Sequence, residues 1–357
     1  MALTIHRSMD KNKPAIQYIF TRMGHHSDHS GYDQIINYIP STVQAPNFVH
    51  RLLSLCPERV LAHIRSSAGE WYNSYALKQE LQNIPDFFLA SPGIYHFLYG
   101  EDTFHYSGYL NPRKSNMLVA TYHNPPEKFL KINRGTRHLK TLDALVIVAP
   151  NQEKLFKNLV NPDRVHLIPH GVDTHFFQPG QKVEKEKKRC LFVGTHLRDF
   201  AMLRRVIQEL NKKDPEISIT AITFKENFAF FEGLKNVTAC SSISEEQLIN
   251  YYTTSELLLL PLIDGTANNT ILEAMACGLP VITTDVGGIA MYAEGGGAVL
   301  VERGDVSGMA ERALNILHSE SAMSFMSKAA RKKAEQFDWA IIAQRMQRLY
   351  AGLFQEK

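Results

Sequence analysis

The sequence lacks any apolar run of the roughly 18–20 residues that would span a bilayer. Its best candidates, Leu142–Pro150 and Leu257–Ile263, have only the length of strands. The opening residues MALTIHRSMDKNKP contain no apolar core of the kind that a secretory signal needs. These absences argue against an integral membrane protein, and they lead us to expect a soluble protein of the cytoplasm.

Cysteine is scarce, and charges of the two signs are nearly balanced. Four cysteines stand far apart with no CxxC pair, so we expect reduced thiols rather than disulfides or a metal site. The net charge of +3 gives no reason to expect nucleic acid as a partner. Residues 1–170 are mildly basic, with 18 Lys and Arg against 13 Asp and Glu. This imbalance suits phosphorylated substrates. It also suits peripheral contact with the inner face of an anionic membrane, through Arg51, Arg59 and Arg65 of the amphipathic segment 48–66. A surface charge that serves only solubility is equally consistent with it.

The sequence does contain an alternation of strands and helices, and this alternation occurs twice. The length favours two domains, and a Pro- and Gly-containing connector at 165–179 separates the two series. Strands that alternate with helices indicate an α/β fold with parallel, doubly wound sheets. We therefore predict two Rossmann-like domains, 1–170 and 171–338, that face each other across a ligand cleft. The helical pattern of 339–357 needs a further apolar surface to cover it.

Several features of the first domain depend on short patterns. Helices are predicted over Tyr32–Ile39 and Glu70–Gln82, and a buried strand over Phe87–Leu89. The loop after the first strand contains Gly24, where backbone amides can approach a phosphate or an acceptor. The histidines of this loop and Asp28 have no fixed metal-ligand spacing, and no DxD pair follows a strand, so we expect no metal site.

The segment Leu260–Gly288 carries the most specific pattern in the chain. A buried strand ends in a loop with Asn268 and Asn269, and a helix is predicted to start at Asn269 or Thr270. Amides at such a helix start are unpaired and partly positive, which suits a diphosphate. Glu273 is expected in the first turn of this helix, where its carboxylate would accept hydrogen bonds from ribose hydroxyls.

The run AMACGLPVITTDVGG, which follows this glutamate, resembles the donor-site signature of the GT-B glycosyltransferases, in particular the retaining enzymes of family 4. LIPHGVDTHFFQP is similar to the interdomain connector of that family, FVGTHLRDFAML to its VGRLxxxKG segment, and VATYHNPP to its N-domain histidine segment. The resemblance covers roughly residues 15–354. It implies the GT-B fold, with acceptor binding in the first domain, nucleotide-sugar binding in the second, and the last helix packed back on the first.

The resemblance also implies the site residues. His123 would contact the donor sugar near the reacting centre, and Arg198 would neutralise the leaving diphosphate, with Arg204 or Arg205 as alternatives in another register. The first glutamate of the family's Glu-x7-Glu pattern is missing, because Gly265 stands there, and this leaves the donor sugar open. The predicted donor-binding set comprises Gly24, Gly194, Thr195, Asn268, Asn269, Thr270 and Glu273.

We therefore expect a retaining, metal-independent glycosyltransferase that needs no cofactor and moves a sugar from a nucleotide-diphosphate sugar to an acceptor hydroxyl. The acceptor would be a glycan, a glycolipid or a small molecule. Two alternatives stay open, namely a nucleotide-sugar epimerase of the same fold and a non-catalytic sugar-nucleotide binder. A dehydrogenase is disfavoured, because no GxGxxG follows the first strand.

Overall fold

Contacts within the chain divide the computed structural model into two units. The structure describes residues 15–21, 28–43, 46–90, 92–113, 115–180 and 186–355. The first unit contains the described residues of Met1–His26, Tyr32–Pro169 and Ile342–Lys357. The second unit contains those of Ser27–Gly31 and His170–Ile341.

The first unit is built on a parallel sheet of six strands in the order β2-β1-β3-β4-β5-β6. The strands are β1 (Ala15–Ile19), β2 (Thr42–Val43), β3 (Gly93–Phe97), β4 (Met117–Tyr122), β5 (Ala144–Ile147) and β6 (Val165–Leu167). The helices are α1 (Phe48–Ser54), α2 (Glu58–Ile64), α3 (Ser74–Leu81), α4 (Ile84–Leu89), α5 (Gly100–Thr103), α6 (Ser107–Leu110), α7 (Pro126–Ile132) and α8 (Glu153–Leu159). The central strands β3, β4 and β5 are buried along their whole length, as expected for parallel strands covered on both faces.

The second unit also has a parallel sheet of six strands, in the order β12-β11-β10-β7-β8-β9. The strands are β7 (Arg189–Val193), β8 (Ser218–Ile222), β9 (Val237–Cys240), β10 (Leu257–Leu260), β11 (Val281–Thr284) and β12 (Ala298–Val301). The helices are α9 (Phe200–Lys213), α10 (Glu245–Thr254), α11 (Asn269–Ala276), α12 (Ile289–Ala293), α13 (Val306–Leu317), α14 (Glu320–Glu335) and α15 (Trp339–Gln355). Numbered within the unit, this is the 3-2-1-4-5-6 order of the Rossmann fold, and the order reverses between β7 and β10.

Helix α15 starts in the second unit, but from Ile342 onward it belongs to the first. Its Tyr350 hydroxyl hydrogen-bonds the Nδ1 atom of His96 at 2.5 Å, and the Nε2 atom of the same histidine hydrogen-bonds the Thr121 hydroxyl at 2.8 Å. Burial lowers the pKa of His96 to about 3, so the ring is neutral. Because His96 lies on β3 and Thr121 on β4, these bonds fasten the last helix to the first sheet.

The predicted α/β class with two parallel, doubly wound sheets is confirmed, but three local assignments in the first unit are wrong. Phe87–Leu89 belongs to α4 rather than to a strand, because Pro85 in the first turn favours a helix start and three apolar residues cannot distinguish the two structures. The helix predicted over Glu70–Gln82 begins only at Ser74, where the Asn73 side chain caps it. The segment predicted as helix over Tyr32–Ile39 is a short 3-10 helix, Tyr32–Asn37.

Membrane-spanning helices were sought among the described residues. None of the helices found there is both long enough and apolar enough to cross a bilayer.

Candidate functional site

Two loops of the second unit meet at the point where its strand order reverses. Residues 194–199 follow β7 and residues 261–268 follow β10, and these two strands are hydrogen-bonded neighbours. The loops pair with each other, since the Ile263 amide donates to the Leu197 carbonyl at 2.9 Å. Ligands of doubly wound sheets bind in the crevice at such a reversal, outside the carboxyl ends of the strands.

Arg198 is held in this crevice by three hydrogen bonds. Its Nε atom donates to the Val193 carbonyl, its Nη1 atom to the His196 carbonyl and its Nη2 atom to the Thr270 hydroxyl, each at 3.0 Å. Burial lowers the pKa of Arg198 to about 10, so the guanidinium remains charged at neutral pH. The bond to Thr270 places this charge beside the start of α11, where the helix dipole is also positive.

Gly194, the first residue of the loop after β7, leaves space for the Arg198 guanidinium. Gly194 has a φ of +101°, and a Cβ atom built on it would lie 2.6 Å from the Nη2 atom of Arg198. The hydroxyl of the neighbouring Thr195 hydrogen-bonds the Thr223 hydroxyl at 3.0 Å. Arg204, the alternative cation, donates instead to the carbonyls of Phe230 and Glu232.

The start of α11 has the features of an anion-binding helix terminus. The helix begins at Asn269, as predicted, and the Asn268 side chain caps it by accepting a hydrogen bond from the Ile271 amide at 3.2 Å. Helix geometry leaves the amides of Asn269 and Thr270 without partners inside the helix. These amides are therefore available to an anion that lies next to Arg198.

Glu273 lies one turn into α11, so its predicted place in the first turn is wrong; the helix starts four residues earlier, at Asn269. The carboxylate is buried, and both of its oxygens accept hydrogen bonds within the second unit. Its Oε1 atom accepts from the Ser30 hydroxyl at 2.5 Å, and its Oε2 atom accepts from the Tyr252 hydroxyl at 2.9 Å. Burial raises the pKa of Glu273, while these two hydrogen bonds oppose the rise.

Residues 28–31 belong to the second unit and lie against Glu273. The His29 amide and ring nitrogen Nδ1 both bond the Glu245 carboxylate, at 3.0 and 2.9 Å. The His29 ring stacks on Phe176 with its centroid 3.5 Å away. These contacts hold the Ser30 hydroxyl on the carboxylate. A small cavity beside them is lined by His29, Ser30, Gly31, His170, Gly171, Asn269, Glu273 and Trp339, among others.

Two further positions and the question of a metal ion bear on the predicted site. Gly24 lies outside the described residues, and its role stays a prediction. At Gly265 a Cβ atom would lie 2.8 Å from Cδ1 of Ile289, so the place of the family's first glutamate is closely packed. In the part of the chain that the structure describes, no group of three or more His, Cys, Asp and Glu residues could hold a metal ion.

His123 belongs to the first unit and directly follows β4, as the sequence predicts. Its Nε2 atom bonds the Leu98 carbonyl at 2.8 Å, and its amide donates to the Glu101 carboxylate at 2.6 Å. Because a carbonyl only accepts, Nε2 carries the proton of the neutral ring. Burial lowers the pKa of His123, which favours this neutral form. Contact with the donor sugar stays a prediction.

Sequence reasoning missed the residues that orient Glu273 and His123. Tyr252 lies in the unremarkable helical pattern of α10, and only its contact with Glu273 singles it out. Ser30 lies in the loop rich in Gly, His and Ser, a signal that pointed to the loop but not to the residue. Glu101 follows β3 closely, and acidic residues at the carboxyl ends of neighbouring parallel strands were the signal that could have found it.

Comparison with known proteins fits this geometry. Residues 187–319 match the family described as Glycosyl transferases group 1. A D-inositol 3-phosphate glycosyltransferase of Mycolicibacterium smegmatis is 34% identical over 243 residues, which are 60% of this chain and 54% of that protein. The chain spans little more than half the length of two other curated glycosyltransferases that it matches, both D-inositol 3-phosphate glycosyltransferases of Corynebacterium species.

Solved structures with similar folds cover nearly the whole chain. Sucrose-phosphate synthase from Thermosynechococcus elongatus has a TM-score of 0.65 and 18% identity over 95% of this chain and 89% of its own. Anabaena Alr3699/HepE, solved in complex with UDP-glucose, has a TM-score of 0.68 and 14% identity over 95% of this chain and all of its own.

The fold is therefore the GT-B fold of glycosyltransferases, as predicted. Within it, residues 187–319, which include Arg198 and Glu273, match the Glycosyl transferases group 1 family, and this match supports the resemblance for that part of the chain.

Proposed function

We propose that the protein is a retaining glycosyltransferase of the cytoplasm that moves a sugar from a nucleoside-diphosphate sugar to an acceptor hydroxyl. The observation that carries this proposal is the convergence of Arg198, the α11 amides and the Glu273 carboxylate at the strand reversal of the second unit. A positive site beside a buried carboxylate fits a diphosphate joined to a ribose. The neighbour solved with UDP-glucose supports this class of donor.

In the proposed reaction the bond between the anomeric carbon and the diphosphate oxygen breaks, and a bond to the acceptor oxygen forms on the same face. The acceptor hydroxyl gives its proton to the leaving diphosphate. The leaving diphosphate gains negative charge, which the Arg198 guanidinium and the amides of Asn269 and Thr270 would stabilise. We propose that the reaction needs no metal ion and no cofactor, because the Arg198 guanidinium and the α11 amides supply the positive charge where the leaving group departs. The acceptor is a glycan, a lipid-linked glycan or a small molecule.

The experiment is incubation of the purified full chain with a panel of nucleoside-diphosphate sugars, with and without a chelator. Thermal stabilisation selects the donor, since a ligand at about 100 times its Kd adds about 2.7 kcal/mol to the free energy of unfolding. The selected donor is then supplied with acceptor panels, and release of the nucleoside diphosphate and the anomeric configuration of the product are measured by NMR. Transfer with retention in the presence of chelator is the expected result.

The alternatives give different results in the same experiment. An epimerase would isomerise the nucleotide sugar without an acceptor. A non-catalytic binder is favoured by the missing first glutamate and by Thr195, which stands where the family has an arginine. Such a binder would be stabilised by the donor but would release no nucleoside diphosphate with any acceptor. Either result would overturn transfer as the function.

A further inference from the structure

The first unit exposes a row of large apolar side chains on two short helices. Phe48, Leu52 and Leu55 follow one another at i, i+4 and i+7 along α1 and its C-cap, and their exposed fractions are 68%, 64% and 83%. Val60 and Ile64 of α2 are exposed at the same i, i+4 spacing. Residues at these spacings share one side of a helix, so α1 and α2 each present an apolar stripe to solvent.

These stripes are separate from the faces that hold the helices in place. Leu53 of α1 and the following Cys56 pack against a buried cluster that includes Leu61, Tyr72 and Leu77. Asn47 fixes the start of α1, because its side chain accepts from the Val49 and His50 amides and donates to the Gln82 carbonyl. The exposed stripe is therefore an outward face of anchored helices, rather than a core face left uncovered.

Cationic side chains accompany the stripes. Arg51 and Arg59 are exposed, and among the residues that the structure describes neither forms an ion pair. The acidic residue between them, Glu58, lies 3.7 Å from Arg65 and accepts a hydrogen bond from the Ser74 hydroxyl. The negative charge of Glu58 is thus offset by Arg65, which leaves the exposed Arg51 and Arg59 as positive charges beside the stripes.

A third helix extends the surface with an aromatic ring and another cation. Tyr75 of α3 is 50% exposed, and its ring centroid lies 6.3 Å from that of His50 on α1. Lys78 of α3 is close enough to His50 to help lower the pKa of the histidine, after burial. Amphipathic aromatic rings and long cationic side chains beside an apolar stripe are typical of helices that lie in the interface of a bilayer.

We infer that α1, α2 and the exposed start of α3 dock the protein on an anionic lipid surface. Phe48, Leu52 and Leu55 enter the boundary between headgroups and acyl chains, and Arg51 and Arg59 contact the phosphates. The charge complementarity decides the partner, because apolar stripes interspersed with exposed arginines match negatively charged headgroups. This inference is independent of the proposed function, because it concerns where the protein lies and not what it transfers.

The test is sedimentation of the full-length protein with vesicles of phosphatidylcholine alone and of phosphatidylcholine mixed with phosphatidylglycerol. The wild type is expected to bind the anionic vesicles at low salt, to dissociate as salt rises, and to leave the neutral vesicles unbound. Replacing Phe48, Leu52 and Leu55 together by Ser, or Arg51 and Arg59 together by Glu, is expected to weaken binding by about tenfold or more.

Matched controls come from the second unit. Phe325→Ser removes an apolar side chain with the same 68% exposure as Phe48, and Arg312→Glu reverses an exposed charge. Both variants are expected to bind vesicles as the wild type does. Melting temperature and nucleoside-diphosphate affinity, measured on every variant, show that each is folded and keep this test separate from the test of function.

Three results would overturn the inference. The first is absence of binding to anionic vesicles at low salt, and the second is unchanged binding of the triple Ser variant. The third is a wild-type dimer in light scattering that the triple Ser variant converts to monomer, since the stripe would then be an interface between copies of this chain.

Discussion

The two units share a parallel six-stranded sheet but differ in strand order and in their buried charges. Numbered within each unit, the first sheet has the order 2-1-3-4-5-6 and the second 3-2-1-4-5-6. In the second unit the buried Glu273 has hydrogen-bond partners on both oxygens. In the first unit Asp102 is buried, and its Oδ1 atom has no hydrogen-bond partner among the described residues.

The two units therefore differ in how firmly they hold the polar side chains that a ligand could contact. The second unit fixes Arg198 and Glu273 through contacts of its own, and such preorganisation keeps low the cost of ordering side chains when a ligand binds. The first unit holds the buried carboxyl of Asp102 close to Glu101 and presents an apolar outer face on α1. The small anionic ligand that we propose is therefore expected at the second unit.

The largest effect is expected from removal of the guanidinium that defines the second unit's site. Arg198→Gln is expected to lower the rate of sugar transfer about 100- to 1000-fold, because the departing diphosphate loses a preorganised charge. Arg204→Gln is the matched control, since the hydrogen bonds described above join Arg204 only to the backbone carbonyls of Phe230 and Glu232 and not to α11. Steady-state kinetics on both variants measures the difference, and equal losses would contradict the role given to Arg198.

Because the Asp102 carboxyl of the first unit is buried, we expect the stability of the protein to depend on pH. Burial, aided by Glu101, raises the pKa of Asp102 from 3.8 to about 8, so the folded chain keeps a proton that the unfolded chain loses between these values. Wild-type stability therefore falls as pH rises through this window. Asp102→Asn has no such proton, and it is expected to gain about 2–4 kcal/mol relative to wild type at pH near 8 and little at pH near 4.

Denaturant titrations at several pH values measure this gain. Asp163→Asn, at an exposed position of the same unit, is the control and is expected to show no comparable trend. A stability difference between Asp102→Asn and wild type that does not change with pH would show that Asp102 is ionised when folded.

A smaller effect is expected at Gly194, where strain and crowding can be separated. Gly194→Ala and Gly304→Ala both place a side chain at positive φ, at +101° and +89°, and each is expected to cost about 1 kcal/mol of stability. Only Gly194→Ala also displaces Arg198, because nothing lies within 4 Å of a Cβ atom at Gly304. We expect the rate of sugar transfer to fall about tenfold more in Gly194→Ala than in Gly304→Ala. Similar rates in the two variants would mean that the added methyl group does not displace the Arg198 guanidinium.

The smallest effect is expected at Ser30. Its hydroxyl donates to one of the two Glu273 oxygens, and a ribose hydroxyl that bonds the same carboxylate would compete with it, so Ser30→Ala is expected to tighten nucleoside-diphosphate binding by about two- to tenfold. Ser307→Ala, which changes an exposed hydroxyl of the same unit, is the control. Calorimetric titration measures the affinities, and weaker binding in Ser30→Ala would show that Ser30 supports the carboxylate instead of competing for it.

The same contrast explains what the sequence could predict. The start of α11 follows from local signals, because a helix cap is encoded within a few residues. The bond of Arg198 to Thr270 joins residues 72 positions apart, and the sequence did not predict it. Tyr252 and Ser30 contact Glu273 although they lie 21 and 243 positions from it in the sequence. Local hydrophobic periodicity cannot predict contacts between residues so far apart. In the first unit, the short apolar run at Phe87–Leu89 fits a strand and a helix equally well, and tertiary packing decided for the helix.

We propose that the second unit holds a nucleoside diphosphate with Glu273 on its ribose. Glu273→Gln keeps the size of the side chain but removes the charged acceptor, so the claim is tested by the affinity of this variant for the bare nucleoside diphosphate that best stabilises the wild type. We expect binding to weaken about 10- to 100-fold, from the loss of a charged hydrogen bond, with little change in melting temperature. Unchanged affinity, or a collapse of the melting temperature, would show that Glu273 is structural and would contradict the account.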